Sequence, residues 1–555
     1  MGTGRILSRL LIVSLVAALC TLGAPQGIDP IQNPSGSVET PPTGATTTTT
    51  TPSCQSKQIA AATLIDTEPA SLAVAISRTG FDCAEVVVVA SGEVATLMAG
   101  AQLAAAAGGP LLVDAAESAP VAEEIERLNP ALVYFVGTAG GELPAGVESR
   151  TVNVSEALIE ASGLIGGAPI IQATGPRAVA RAVVGTVNKS GVITGVFQPD
   201  PETDGDWVAA HAPATATVWL ADGNRPDLVA PVLAAAGSRG ETVLLGDPGD
   251  LRTQDANVRT LRTLDPHHIV VAGGFAADRV EWQLAALIAA PELPGGGLVF
   301  SPERRLVALY GNPTTSALGV LGEQSAEESV GRVMEVATGY DADGASILPS
   351  FEIIATVASA FAGDDNDYSQ EMTLETLRPW IEVAGHNGVY VILDLQPGRT
   401  DFLTQARRYE EFLRLPHVGL ALDSEWRLKP DQVHLRQIGS VDAAEINTVV
   451  DWLAALVREH NLPQKCLLLH QFRLDMITNR DQVKTPPELA VVIQMDGQGP
   501  LSTKYDTWNA LTAGTEDSGF TWGWKNFYDE DTPRGGATAE EVLNLNPVPG
   551  YVSFQ

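Results

Sequence analysis

Basic residues are scarce in this 555-residue chain: 34 Lys and Arg stand against 67 Asp and Glu, a net charge of −33. A field of that sign repels polyanions, so nucleic acid and anionic membrane surfaces are discounted as partners. Histidine is rarer still, eight in all, and no Cys and His spacing matches a zinc site. The chain has no G-x-G-x-x-G between strand and helix and no G-x-S-x-G elbow, which argues against a nucleotide site and a serine nucleophile. No cofactor is expected, and only a carboxylate-bound Ca2+ or Mg2+ stays open.

Cysteine is equally sparse, at four. Cys54 and Cys83 bracket the start of the first folded unit and, in an oxidising compartment, would staple the segment before it to that unit. Cys466 sits in an apolar run and reads as a buried free thiol. Cys20 lies in the leading segment, where Arg5 and Arg9 precede an apolar run at 10–22 that is short for a membrane span. Residues 1–24 therefore read as an export signal, and the mature protein is expected outside the cytoplasmic membrane. Leu19 stands where a lipobox wants Gly, Ala or Ser, so Cys20 is a poor lipidation site. Residues 25–53, with Pro, Ser and the threonine run 46–51, cannot bury a core and read as an extracellular tether.

What the chain has is apolar periodicity. From about 58 to 290, strand candidates alternate with Ala-rich helical patterns, the mark of parallel α/β units. The strand at 86–92 answers to 218–223, and 110–114 to 243–247. Most telling, Leu128-Asn129-Pro130 before the run to Gly137 parallels Leu264-Asp265-Pro266 before the run to Gly273, an offset of 136 residues. Two tandem Rossmann-like units are expected, at 54–160 and 161–295. Gly108-Gly109 and Gly273-Gly274 read as turn chemistry. The first unit, with Ala75-Ile76-Ser77, the strand and Gly92, the Ala-rich helix, 108–112 and Leu128-Asn129-Pro130, resembles the cell-wall-binding repeat type 2 modules of Gram-positive surface proteins. That resemblance implies non-covalent attachment to an anionic wall polymer. The chain departs from the family pattern in showing two copies rather than three, and its acidity suits an anionic ligand poorly.

From 300 to 555, eight strand candidates (306–310, 351–357, 389–395, 418–422, 466–470, 489–495, 520–524 and 551–554) alternate with helical patterns such as 402–413 and 443–460. That is the content of a (β/α)8 TIM barrel. The last strand runs to Gln555 with no closing helix, and the segment 280–290 is expected to cover the seam. Polar groups gather at the strand ends: Tyr310 and Asn312, Asp394 and Gln396, Asp423 and Glu425 with Trp426, His470 and Gln471, Gln494 and Asp496, Trp524 and Lys525. Barrel enzymes place their chemistry at that end.

The sharpest signal is Asp423-Ser424-Glu425, two carboxylates on one side of a strand where an apolar run stops. Paired acids at a barrel mouth suit acid/base work on a glycosidic bond. The plain alternative is a solvated strand end. The motif resembles the fourth-strand Asp-x-Glu of family 18 glycoside hydrolases and the like spacing of family 25 muramidases. The resemblance implies Glu425 as general acid and Asp423 as its helper, with Asp496 or Asp394 as the opposing carboxylate. It departs at Ala421, where family 18 carries a further Asp, and in the first strand, which lacks the Asp of family 25. The expectation is a secreted, wall-associated protein acting on a glycan; the alternative is a non-catalytic surface protein that binds carbohydrate.

Overall fold

The computed structural model describes residue 54 and residues 57–114, 119–166, 170–174, 196–200, 217–300 and 304–555. The expected signal with Cys20 and the tether lie outside the described residues. Among the described residues no helix is long and apolar enough to cross a membrane.

The first half is built of parallel sheets. Strands β1 (Ala62–Ile65), β2 (Val86–Ala90), β3 (Leu111–Val113), β4 (Leu132–Val136), β5 (Glu148–Val152), β6 (Ile170–Thr174), β7 (Val196–Asp200), β8 (Thr217–Asp222), β9 (Thr242–Gly246) and β10 (His268–Gly273) follow in chain order. They form sheets ordered β3-β2-β4-β5 and β1-β10-β8-β9, with a separate parallel pair β6-β7. Two features differ from a simple tandem pair. Strand β1 hydrogen-bonds in the sheet of the second unit, Ala62 opposite Val270, and the parallel pair β6-β7 falls, in chain order, between β5 and β8. Cys54 and Cys83 are bonded, with Cα atoms 5.8 Å apart, so residue 54 is tied to the first unit while β1 is committed to the second.

The repeat has a local cause. Helices Ala119–Leu128 and Asp255–Leu264 each stop at a residue with positive φ, Asn129 (50°) and Asp265 (45°), followed by Pro. Asn and Asp tolerate the left-handed region because their short polar side chains can bond locally, and Pro cannot continue the helix. The Ala-rich helices Val94–Ala107 and Pro226–Arg239 pack on each other, and residues 96–105 and 228–237 are buried. The first of these helices also lies close on its sheet: a Cβ on Gly100 would come within 3.1 Å of Ala90 on β2 and Leu111 on β3.

The second half is a closed barrel. Strands β11 (Arg304–Gly311), β12 (Ser346–Ala358), β14 (Tyr390–Leu395), β15 (Val418–Asp423), β17 (Lys465–His470), β19 (Leu489–Met495), β20 (Thr521–Asn526) and β21 (Tyr551–Phe554) pair in parallel around the ring, and β21 returns to β11. Short β13 (Ser369–Glu371) adds antiparallel to β12, and a two-residue pair, β16 (Val441–Asp442) with β18 (Ile477–Thr478), lies outside the ring. All eight barrel strands expected from periodicity are present. Helix Ala443–Glu459 shows why: Ile446, Val449, Val450, Leu453, Leu456 and Val457 fall on one face and are buried, while Asp442 caps the start by accepting from Ala444 N. The helix expected at 402–413 is broken at Tyr409, whose hydroxyl reaches the carbonyls of Ala355 and Met372.

Alternation along the strands sorts the barrel into two surfaces. Val391, Leu393, Leu420, Leu422, Leu467 and Leu469 point outward to the helices, while Leu306, Leu348, Ile392, Ala421, Leu468 and Val492 fill the lower interior. Each such fully buried aliphatic side chain contributes roughly 1.5–3 kcal/mol. Leu293 completes this inner cluster and the Phe300 ring meets Tyr390 edge-on at 5.3 Å, so the connecting segment plugs the floor. Cys466 is a free, buried thiol in the same layer. Arg252, fully buried over Trp282, donates to the Pro487 carbonyl at 2.5 Å and ties the second sheet to the barrel. The seam is not covered by the segment expected to do so: helix Val280–Ala289 packs on 251–253 and 255–264. Tyr340 and Tyr528 meet Phe554 at 6.1 and 5.7 Å instead.

Candidate active site

At the C-terminal ends of the strands the inward positions turn polar together. Parallel register sets Tyr310 beside Glu352, Asp423 beside His470 and His470 beside Gln494. Glu352, Asp394, Asp423, His470, Gln494, Asp496 and Lys525 are all buried, whereas Glu425 is half-buried on the turn that follows β15.

His470 is the centre of this layer. Its Nε2 lies 2.7 Å from Glu352 Oε1 and its Nδ1 2.8 Å from Asp496 Oδ2. Asp394 Oδ1 stands 3.8 Å from Nε2 and Asp423 Oδ2 4.0 Å from Nδ1. With a carboxylate on each ring nitrogen, both donate and the ring is an imidazolium. Burial works against that charge, but Asp394, Asp423, Glu352 and Asp496 together hold it well above the usual histidine range. Glu352 is fixed on its far side by the Tyr551 hydroxyl, which donates to Oε2 at 2.6 Å.

The acids respond to burial and to one another. Asp394 is pushed up to about 6 by burial and by Glu352, against the pull of His470, Lys525 and the Tyr310 hydroxyl that donates to its Oδ2 at 3.0 Å. Asp423 rises well above its ordinary value, chiefly through burial, with Asp394, Asp496 and Glu425 adding to it. Glu425 is pushed up to about 7 by burial and then by Asp496, while Lys525 and His470 oppose. Arg427 and Arg473 are engaged elsewhere, which leaves Lys525 and His470 as the cations that oppose the rise. Arg427 pairs with Glu445 at 2.8 Å and Arg473 with Asp475 at 2.6 Å, while Lys525 Nζ lies 3.4 Å from the centre of the Tyr310 ring. Asp423 Oδ1 accepts the backbone N–H of Glu425 at 3.1 Å, which fixes the turn that carries the glutamate.

The remaining strand-end residues divide between the mouth and its scaffolding. Gln494 Nε2 donates to the Ser553 hydroxyl at 2.6 Å, and its side-chain Oε1 has no partner among the described residues. Gln396 accepts from Ala358 N and approaches the Tyr310 hydroxyl at 3.4 Å. Asn312 is turned to the Ile354 carbonyl and its own loop, and Gln471 to Arg473 O and Arg480, so both hold loops. Trp524 sits on the outer face of β20 against Trp508 at 5.9 Å, away from the mouth. Trp426 is half-buried at the rim, edge-on to His434 at 5.2 Å.

Sequence reasoning missed Glu352, Tyr551 and Ser553. Glu352 falls six residues before the end of the 13-residue β12, so a search of strand ends passes over it. Its signal was a lone carboxylate at an inward position of an otherwise apolar run.

No family model matches the chain, and no curated protein matches it. Among solved structures, Cwp6 from Clostridium difficile aligns at a TM-score of 0.34 and 13% identity, over 60% of this chain and 63% of that one. The alignment spans less than two thirds of that protein, and at this score it bears no weight on function.

Proposed function

We propose that this is a cell-surface protein whose barrel hydrolyses glycosidic bonds of an envelope or extracellular glycan, with the N-terminal α/β units holding it to a wall polymer. The observation that carries the catalytic part is the setting of Glu425. It is the half-buried acid among buried ones, it stands at the strand-end face where barrels do chemistry, and burial with the Asp496 charge outweighs the opposing Lys525 and His470. Such a group suits protonation of a leaving oxygen. Asp423 positions it through the backbone, and Asp496 is the nearby second carboxylate that two-acid hydrolysis requires. Domain limits at 54–160, 161–295 and 300–555 belong to the same reading.

The test is reducing-sugar release from purified wall glycan and a panel of soluble oligosaccharides, with the intact protein compared with Glu425→Gln at matched folding. Release by the first and not by the second supports a glycosidase with Glu425 as its acid. No release by either, while both sediment with cell walls, leaves a non-catalytic surface protein.

A further inference from the structure

The mouth carries more buried negative charge than its cations balance. Glu352, Asp394, Asp423 and Asp496 surround one imidazole and one ammonium, and that ammonium, Lys525, is held over the Tyr310 ring. Two of the carboxylates keep a buried oxygen without a hydrogen-bond partner: Asp394 Oδ1 and Asp496 Oδ1. Asp394 Oδ1 lies on the Nε2 side of His470 at 3.8 Å, whereas Asp496, more than nine-tenths buried, stands on the Nδ1 side. Leaving Asp496 Oδ1 unpaired is costly, so a group on the Nδ1 side that satisfies it is expected.

We infer that Asp423, His470 and Asp496 form a site for one divalent cation at the barrel mouth. One ligand atom from each of the three lies within 4.8 Å of the others, a spread that a single ion at ordinary bond lengths can span. His470 is prepared for it. Nε2–H donates to Glu352 at 2.7 Å and Glu352 is itself held by Tyr551, the carboxylate-histidine arrangement that orients an imidazole ligand and raises its basicity. Nδ1 then faces Asp423 and Asp496, and the ion replaces the proton shared between Nδ1 and Asp496. Three protein ligands including an imidazole favour Mn2+ or Zn2+ over Ca2+, which takes six to eight oxygens. The remaining positions would hold water or a substrate hydroxyl facing Glu425. The scarcity of histidine argued against a zinc centre and left a carboxylate-bound ion open; adjacent strands bring two aspartates to the one strand-end histidine.

The inference stands apart from the glycan reading, because it is tested with Mn2+ alone and no substrate. The intact protein, stripped with chelator, is titrated with Mn2+ while free ion is followed by electron paramagnetic resonance, and the bound ion is examined for 14N coupling. The expected result is one tight ion per chain with coupling from a single imidazole, and at least tenfold weaker binding in Asp496→Asn. Glu352→Gln, which leaves all three ligands in place, should weaken binding about 10–100-fold. Absence of a stoichiometric site, or a bound ion without nitrogen coupling, overturns the proposal. So does equal affinity in Asp496→Asn with unchanged circular dichroism.

Discussion

The two halves of this chain use the same alternation of parallel strands and helices, yet they treat buried charge in opposite ways. In the open sheets Glu124 and Glu241 are settled locally by side-chain donors, while Asp222, which accepts from the Asn224 and Gly274 backbone, is raised by burial. Glu124 receives Ser77, Arg78 and Arg127 at 2.5, 3.1 and 2.6 Å, and although burial raises it, those donors bring it below its usual range. Glu241 is met by Trp219 at 2.8 Å and Arg239 at 2.9 Å. In the barrel mouth the acids face one another instead, and burial with mutual repulsion pushes Asp394, Asp423 and Glu425 up. The difference is geometric. The ends of an open sheet are spread along an edge, whereas closure brings eight strand ends to one axis. Charges that would be solved separately must then be solved together, and such a site is suited to chemistry at a cost in stability.

The comparison can be broken most decisively by activity. Glu425→Gln should lower turnover on a responsive glycan by about 100-fold or more, measured as initial reducing-sugar release. A variant that keeps wild-type turnover would place the chemistry elsewhere. Next in size, Glu124→Ala strips the partner from the partly exposed Arg78 and Arg127 and from Ser77, and should cost roughly 1.5–3 kcal/mol in urea unfolding. Loss of less than about 1 kcal/mol would mean that the open sheets do not depend on local pairing.

Lys465 offers the converse of the mouth, a buried cation without a carboxylate. It opens β17 and donates to the carbonyls of Leu415 and Val418, each at 2.8 Å, and burial alone pulls it down to about 7. Its folded value lies below the unfolded one, so the unfolded chain binds more protons between about pH 7 and 10.5. Its contribution to stability is therefore full above the unfolded value and lost as pH falls toward 7. Lys465→Met should flatten the rise in unfolding free energy over that window, and an unchanged slope would count against the neutral buried amine. The smallest effect is expected at Asp394→Asn, which removes one excess charge while keeping an acceptor for Tyr310. Unfolding should become harder by about 1 kcal/mol, the reverse sign to Glu124→Ala, and a clear loss of stability would show that Asp394 is needed ionised.

Much of this was legible along the chain because both of its codes are local. Period-two alternation located all eight barrel strands and turned Asp394, Asp423, His470, Gln494 and Lys525 inward. The same alternation explains why Asn312 and Gln471 were misplaced. At a strand end the pleat gives way to loop geometry, and a polar group there is as readily a loop anchor as a mouth residue. Trp524 was misjudged for proximity in sequence, since its neighbour Lys525 points inward and it therefore points out.

The sequence by itself determined the parallel α/β class, the 136-residue repeat with its Asn129 and Asp265 helix stops, the barrel strands and the Asp423 and Glu425 pair, all of which rest on residues near one another in the chain. Only the tertiary structure decided that β1 joins the sheet of the second unit, that Glu352 and Asp496 take the two nitrogens of His470, and that Leu293 and Phe300 plug the barrel floor. The physical reason is partner choice. A strand's propensity does not say which edge it will join, and an inward side chain does not say which residue it will meet until closure of the ring sets the register.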